Sequence, residues 1–276
     1  MGFNPEVGML SDGFSLRKTC CLPDALGLRR GEVLALVGGG GKTSLMFRLA
    51  AELASGGSRV ITTTTTRILP PDPGQSSRVI VEQDEDTLTA LTREALIEHH
   101  HVTLARLNSD EKLKGLLPET IDLMHRLGIA DFIINEADGA ARQPLKAPNA
   151  TEPVIPVSSS LVVALVGIEA IGRPLSPETA FRVPIISRLT GLEGRAPITK
   201  EAVATLLTHP AGIIQHSPPR ARIVPFINKV DEPSCLPVAR ALAEEILERR
   251  HPQIERVVFG AIKHPEQPLK IVKRNG

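Results

Sequence analysis

Tryptophan and tyrosine are both missing from the chain, and phenylalanine occurs only seven times. This bears little on function, but it leaves a near-ultraviolet spectrum in which a bound base would stand out. Charge of one sign is also missing: 32 Lys+Arg face 31 Asp+Glu, for a net charge of +1. No global field therefore recruits nucleic acid or an anionic membrane, and neither is expected as a partner. Long apolar runs are absent too. The stretches at 161–167 and 223–227 fall far short of the roughly 20 residues a membrane span needs, and no basic segment followed by an apolar run opens the chain. The expectation is a soluble, cytoplasmic protein. Of three cysteines, Cys20 and Cys21 are adjacent and Cys235 is distant, which supplies neither a disulfide framework nor a C-x-x-C metal knuckle. The run His99, His100, His101 lacks the i, i+4 spacing that puts two imidazoles on one helix face.

What is present is a phosphate cradle. Apolar residues 34–37 run into Gly38, Gly39, Gly40 and Gly41, then into Lys42, Thr43, Ser44 and an amphipathic segment. Glycines let successive N–H groups converge on one anion, a lysine adds a mobile positive charge, and a threonine hydroxyl at a helix N-terminus can ligand magnesium. The loop is the short G-x-x-G-K-T-S, since the first glycine of the longer G-x-x-x-x-G-K-[ST] pattern would fall at Leu36.

Around the cradle, apolar β-rich segments alternate with helical ones. Strands are expected at 32–37, 59–63, 78–82, 102–106, 131–135, 160–167, 223–227 and 256–259. Helices are expected at 22–28, 43–54, 84–99, 118–127, 182–189, 200–207 and 236–250. Prolines at 144, 148, 153 and 156 mark residues 142–156 as an ordered loop. The pattern predicts one α/β domain over 1–276, a mostly parallel sheet flanked by helices on both faces, P-loop NTPase-like.

In such a sheet ligands sit at the carboxyl ends of strands, where every polar motif here falls. Segment 132–135 ends in Glu136 and Asp138, two apart and on one face of a continuing strand. This pair suits a magnesium site or the positioning of water opposite the β- and γ-phosphates. Residues 228–231, Asn228, Lys229, Val230 and Asp231, match the N-K-x-D element that reads guanine. An Asp carboxylate accepts two bonds from guanine but meets an acceptor in adenine, while Asn supports the loop and the Lys stem covers the ring. Thr64 and Arg67 close the second strand, and Arg142 and Lys146 follow Asp138, as candidates for a second, anionic substrate or the terminal phosphate.

The runs VGGGGKTSLM at 37–46, TTTT at 62–65, NEADG at 135–139, PLKAP at 144–148, EPVIP at 152–156, VGIEAIG at 166–172 and NKVD at 228–231 resemble, in order, those of the YqeC-type selenium-dependent molybdenum hydroxylase accessory proteins, also called selenium cofactor biosynthesis proteins. The resemblance runs nearly end to end. It implies a Mg2+-dependent protein that binds GTP or ATP and assists a molybdenum hydroxylase or a selenium or sulfur transferase. Phe181 stands before Arg182 where the family pattern has His-Arg. The short loop is also similar to that of Mur-type amide ligases, which keeps an ATP-dependent ligase or kinase as an alternative beside a nucleotide-gated scaffold.

Overall fold

Buried aliphatic strands alternate with amphipathic helices along the chain, and a computed structural model, describing residues 8–9, 13–109 and 112–275, assembles them into an α/β architecture. The large sheet has eleven strands. From one edge they are Gly8–Met9, Phe14–Thr19, Leu269–Arg274, Arg256–Phe259, Arg222–Asn228, Ser159–Gly167, Val33–Gly38, Phe132–Glu136, Val60–Thr64, His101–Ala105 and Arg78–Val81. From Arg256–Phe259 to Arg78–Val81 every neighbouring pair is parallel; the three strands at the other edge are antiparallel.

The glycine loop leaves the central strand Val33–Gly38, whose side chains show why it is central. Leu34 and Leu36 point into one apolar cluster with the helix Lys42–Ser55, while Ala35 and Val37 point into another with the helices Lys200–Thr208 and Leu236–Glu248. A strand buried on both faces reads as continuous apolar sequence because alternate residues serve opposite layers. A third cluster joins Val33, Ile61 and Ile133 to the helices Glu85–Glu98 and Pro118–Arg126.

The chain leaves the central strand toward Val60–Thr64 on one side and later returns to place Ser159–Gly167 on the other. That reversal opens a crevice at the carboxyl ends of the strands, the position where open α/β sheets bind ligands.

The mostly parallel sheet with helices on both faces agrees with the sequence reading. Three features were not foreseen. The strand Phe14–Thr19 precedes the first helix, Leu269–Arg274 is a further strand beside it, and a three-stranded flap joins Arg67–Ile68, Lys112–Lys114 and Leu107–Ser109. The loop at 142–156 contains the two-residue strand Leu145–Lys146, paired with Ala180–Phe181. Edge and flap strands are short and half polar, so alternation marks them weakly.

Phe226, in the strand Arg222–Asn228, is completely buried. Phe226→Ala is expected to cost about 3–5 kcal/mol of unfolding free energy, read as a lowered urea midpoint with an unchanged slope.

Candidate functional site

At the end of the central strand the backbone turns through left-handed conformations, with φ of 93° at Gly38, 76° at Gly40 and 128° at Gly41. Only glycine takes these without strain. A Cβ on Gly38 would collide with the Leu165 carbonyl, and one on Gly40 with the Gly167 backbone, so the neighbouring strand Ser159–Gly167 presses directly on the loop. Three loop amides are already engaged. Gly38 N–H donates to Asp138 Oδ2 at 3.0 Å, Gly39 N–H to the Leu165 carbonyl at 2.9 Å, and Gly40 N–H to the Gln143 carbonyl at 3.0 Å. The sequence assigned the anion to the amides of residues 38–41. Of these, Gly41 N–H has no protein acceptor among the described residues, and it is continued by the first-turn donors of Lys42–Ser55, at Lys42, Thr43 and Ser44, which lack intrahelical partners.

The charged groups beneath the loop form a buried chain. Lys42 donates to the Gly38 carbonyl at 2.6 Å and lies 3.2 Å from Asp138 Oδ1 and 3.7 Å from Glu136 Oε1. Burial would lower the Lys42 pKa, but Asp138 and Glu136 outweigh it and raise it, so the ammonium is retained. Burial raises the Glu136 carboxyl, against the opposing pull of Lys42 and a bond from the Thr43 hydroxyl at 2.8 Å. Asp138 is gripped from the other side by Lys146, whose Nζ lies 2.9 Å from Asp138 Oδ2, 2.9 Å from Glu152 Oε2 and 2.6 Å from the Gly139 carbonyl. Arg182, in a left-handed conformation with φ of 66°, closes the chain at 2.6 Å from Glu152 and stacks on the Phe181 ring at 4.6 Å. Burial alone would raise the Glu152 carboxyl, yet Arg182 and Lys146 together hold it down at about 2.

Above the loop lies a cleft of about 810 Å³, within the range of small-molecule sites. Its lining joins Gly40 to Ser44, Glu136, Arg67 and Arg142 with Asn228, Lys229 and Asp231. Asn228 bridges two walls: its amide donates to the Gly40 carbonyl at 2.7 Å and its carbonyl accepts from Ile262 N–H at 3.0 Å. Lys229, at φ of 63°, pairs with Glu169, and Asp231 is exposed at the rim.

The fold thus brings the cradle, the acidic strand end and residues 228–231 to one cleft, with Arg67 and Arg142 on its wall. Asp138, Thr64 and Lys146 are not on that wall. Thr64 is buried and donates to the Glu136 carbonyl at 2.7 Å. Lys146, expected near an anionic substrate, is completely buried and spent on Asp138 and Glu152. Sequence reasoning missed Glu152, Arg182, Gln143 and the loop 260–264. Glu152 and Gln143 sit in a proline-rich stretch whose partners are set only by the return of the chain from residue 180, although the EPVIP run gave a signal at Glu152.

The family described as YqeC protein matches residues 34–184, the stretch from the central strand to the helix after Arg182. The chain is similar to the Uncharacterized protein YqeC of Escherichia coli (strain K12), at 34% identity over 239 residues, covering 86% of this chain and 90% of that protein.

Removing the ammonium between Asp138 and Glu152 leaves buried carboxylates uncompensated. Lys146→Met is therefore expected to destabilise the fold by about 3–5 kcal/mol, with Lys146→Arg closer to wild type, as read by urea unfolding. Glu152 is depressed in the folded state, so its contribution is complete above the ordinary glutamate pKa, near 4.5, and is lost as pH falls toward about 2. Unfolding curves between these limits should show a shallower loss of stability in Glu152→Gln than in wild type; equal slopes would remove Glu152 from the acid sensitivity.

Proposed function

Taking as premise that the chain belongs to the YqeC family, we propose that it is a P-loop-type, Mg2+-dependent nucleoside triphosphate-binding protein that prefers GTP to ATP and hydrolyses it. The observation that carries this reading is the meeting of a glycine cradle, a buried acidic strand end and an N-K-x-D loop on one cleft at the carboxyl edge of the sheet.

In this reading the first-turn amides at Lys42, Thr43 and Ser44 receive the phosphates, with the positive end of the helix behind them. Lys42 exchanges the Gly38 carbonyl for a β/γ-phosphate oxygen, while Asp138 keeps its ammonium oriented. The Thr43 hydroxyl and Glu136 carboxylate are hard oxygen donors 2.8 Å apart, a fit for magnesium, which keeps waters and phosphate oxygens as its remaining ligands. Bound there, the ion would neutralise charge on the phosphates. Glu136, whose carboxyl is raised by burial, also lies where it can orient an attacking water. Asn228 sets the height of the loop against residue 262, and Asp231 accepts from the guanine edge with the Lys229 stem over the ring.

The accessory role in maturing selenium-dependent molybdenum hydroxylases rests on the family resemblance, with a hydroxylase or a selenium or sulfur transferase as partner. No helix among the described residues is long and apolar enough to cross a membrane, which fits a cytoplasmic setting. A ligase or kinase reading is favoured by one observation, the cationic wall of the cleft at Arg67 and Arg142.

Isothermal titration of nucleotide-free protein with Mg-GTP and Mg-ATP tests the assignment. Lys42→Ala should weaken both by about 100-fold in protein that stays folded by circular dichroism, and a folded variant with wild-type binding would sink the P-loop reading. Asp231→Asn should reduce GTP affinity by about tenfold or more and leave ATP nearly unchanged. An unaltered preference would make residues 228–231 a structural turn, and a wild-type preference for ATP would favour the ligase or kinase class.

A further inference from the structure

The cleft has two ends of different chemistry. Along the carboxyl edge of the sheet the Asn228 strand lies two positions to one side of the central strand, and the Thr64 strand two positions to the other. At a strand spacing of about 4.8 Å, each end lies about 10 Å from the cradle, on opposite sides. A nucleotide with its base at Asp231 and its phosphates on the cradle fills one half. The other half, still part of the same cleft, is walled by Arg67, Ile68, Leu69 and Lys112, with Arg142 beside the phosphate position.

That second wall is built on a firm root. Arg67–Ile68 pairs antiparallel with Lys112–Lys114, Ile68 and Leu113 are buried in the core, and the amides of Gly115 and Leu116 donate to the carbonyls of Thr66 and Thr64 at 2.9 Å. Alternation along the pair turns the charged heads out while the aliphatic residues anchor it. Leu69 presents 47% of its surface, and neither Arg67 nor Arg142 forms an ion pair with a carboxylate among the described residues. Cations of like sign converging on a concave wall raise the local concentration of anions, and an apolar surface beside them selects for an organic anion over an inorganic one.

We propose that the Arg67 wall is a second ligand subsite for a small organic anion with an apolar body, held on the far side of the phosphates from the base. The proposal rests on the nucleotide reading for its geometry, since that reading assigns the other half of the cleft. Arg67 and Lys112 take the anionic group, Ile68 and Leu69 take the apolar part, and Arg142 lies between this ligand and the terminal phosphate.

The probe is 8-anilinonaphthalene-1-sulfonate, an anion with an apolar body, followed by its own visible fluorescence. Titrations are run on the full chain with and without saturating Mg-guanylyl imidodiphosphate, whose own binding is measured separately by calorimetry. The expected result is probe binding that persists with nucleotide present and weakens about tenfold in Arg67→Glu, with circular dichroism unchanged. Displacement of the probe by nucleotide, or equal probe affinity in Arg67→Glu, overturns the subsite. So does loss of probe binding in Ile97→Glu alone, because Ile97 lies in a separate apolar pocket with Leu96 and Leu127. If calorimetry shows no nucleotide binding, the nucleotide reading fails, while the Arg67→Glu titration still decides whether this wall binds the anion.

Discussion

One buried carboxylate holds the site together. Asp138 is almost fully enclosed, and at that depth a carboxylate is sustained only by opposite charge and directed donors. It receives the Gly38 amide on Oδ2, Lys146 on the same oxygen and Lys42 near Oδ1. These three partners come from the central strand end, the proline-rich loop and the first turn of the following helix. Loop, helix and proline-rich segment are therefore registered against a single point, and the cleft inherits its shape from that registration.

The enclosure of Asp138 also divides labour between the two carboxylates of the acidic strand. Glu136 lines the cleft and touches Thr43, while Asp138, two residues further and past the strand end, turns into the interior. Alternation would have kept the two on one face had the strand continued. It ends at Glu136, and the chain bends at Asp138, which lies under the loop. Lys146, on the short strand Leu145–Lys146, links Asp138 to Glu152 and through it to Arg182. An ion-paired interior thus lies beneath a cleft whose wall carries exposed Arg67, Arg142 and Asp231.

Much of this was legible in the sequence. Continuous apolar runs announced strands covered on both faces, the glycine run with Lys42, Thr43 and Ser44 announced a strand-turn-helix junction, and residues 228–231 stood directly after an apolar run. The edge strands Phe14–Thr19 and Leu269–Arg274 were not legible. Each mixes basic and apolar residues, and their pairing joins chain segments about 250 residues apart. The flap that carries Arg67 and Lys112 is likewise too short to announce itself by period.

Local residue order by itself determined the conformation of the cradle, since only glycine accepts the backbone angles at Gly38, Gly40 and Gly41, and the alternation of strand and helix, since periodicity is a property of neighbouring residues. Tertiary structure alone decided which polar groups face the cleft. Lys146 and Arg142 lie four residues apart in one loop, and sequence gave them the same prospects. One is buried between two carboxylates and the other is exposed on the cleft wall, because the partners that can compensate a buried charge come from chain segments far away in sequence.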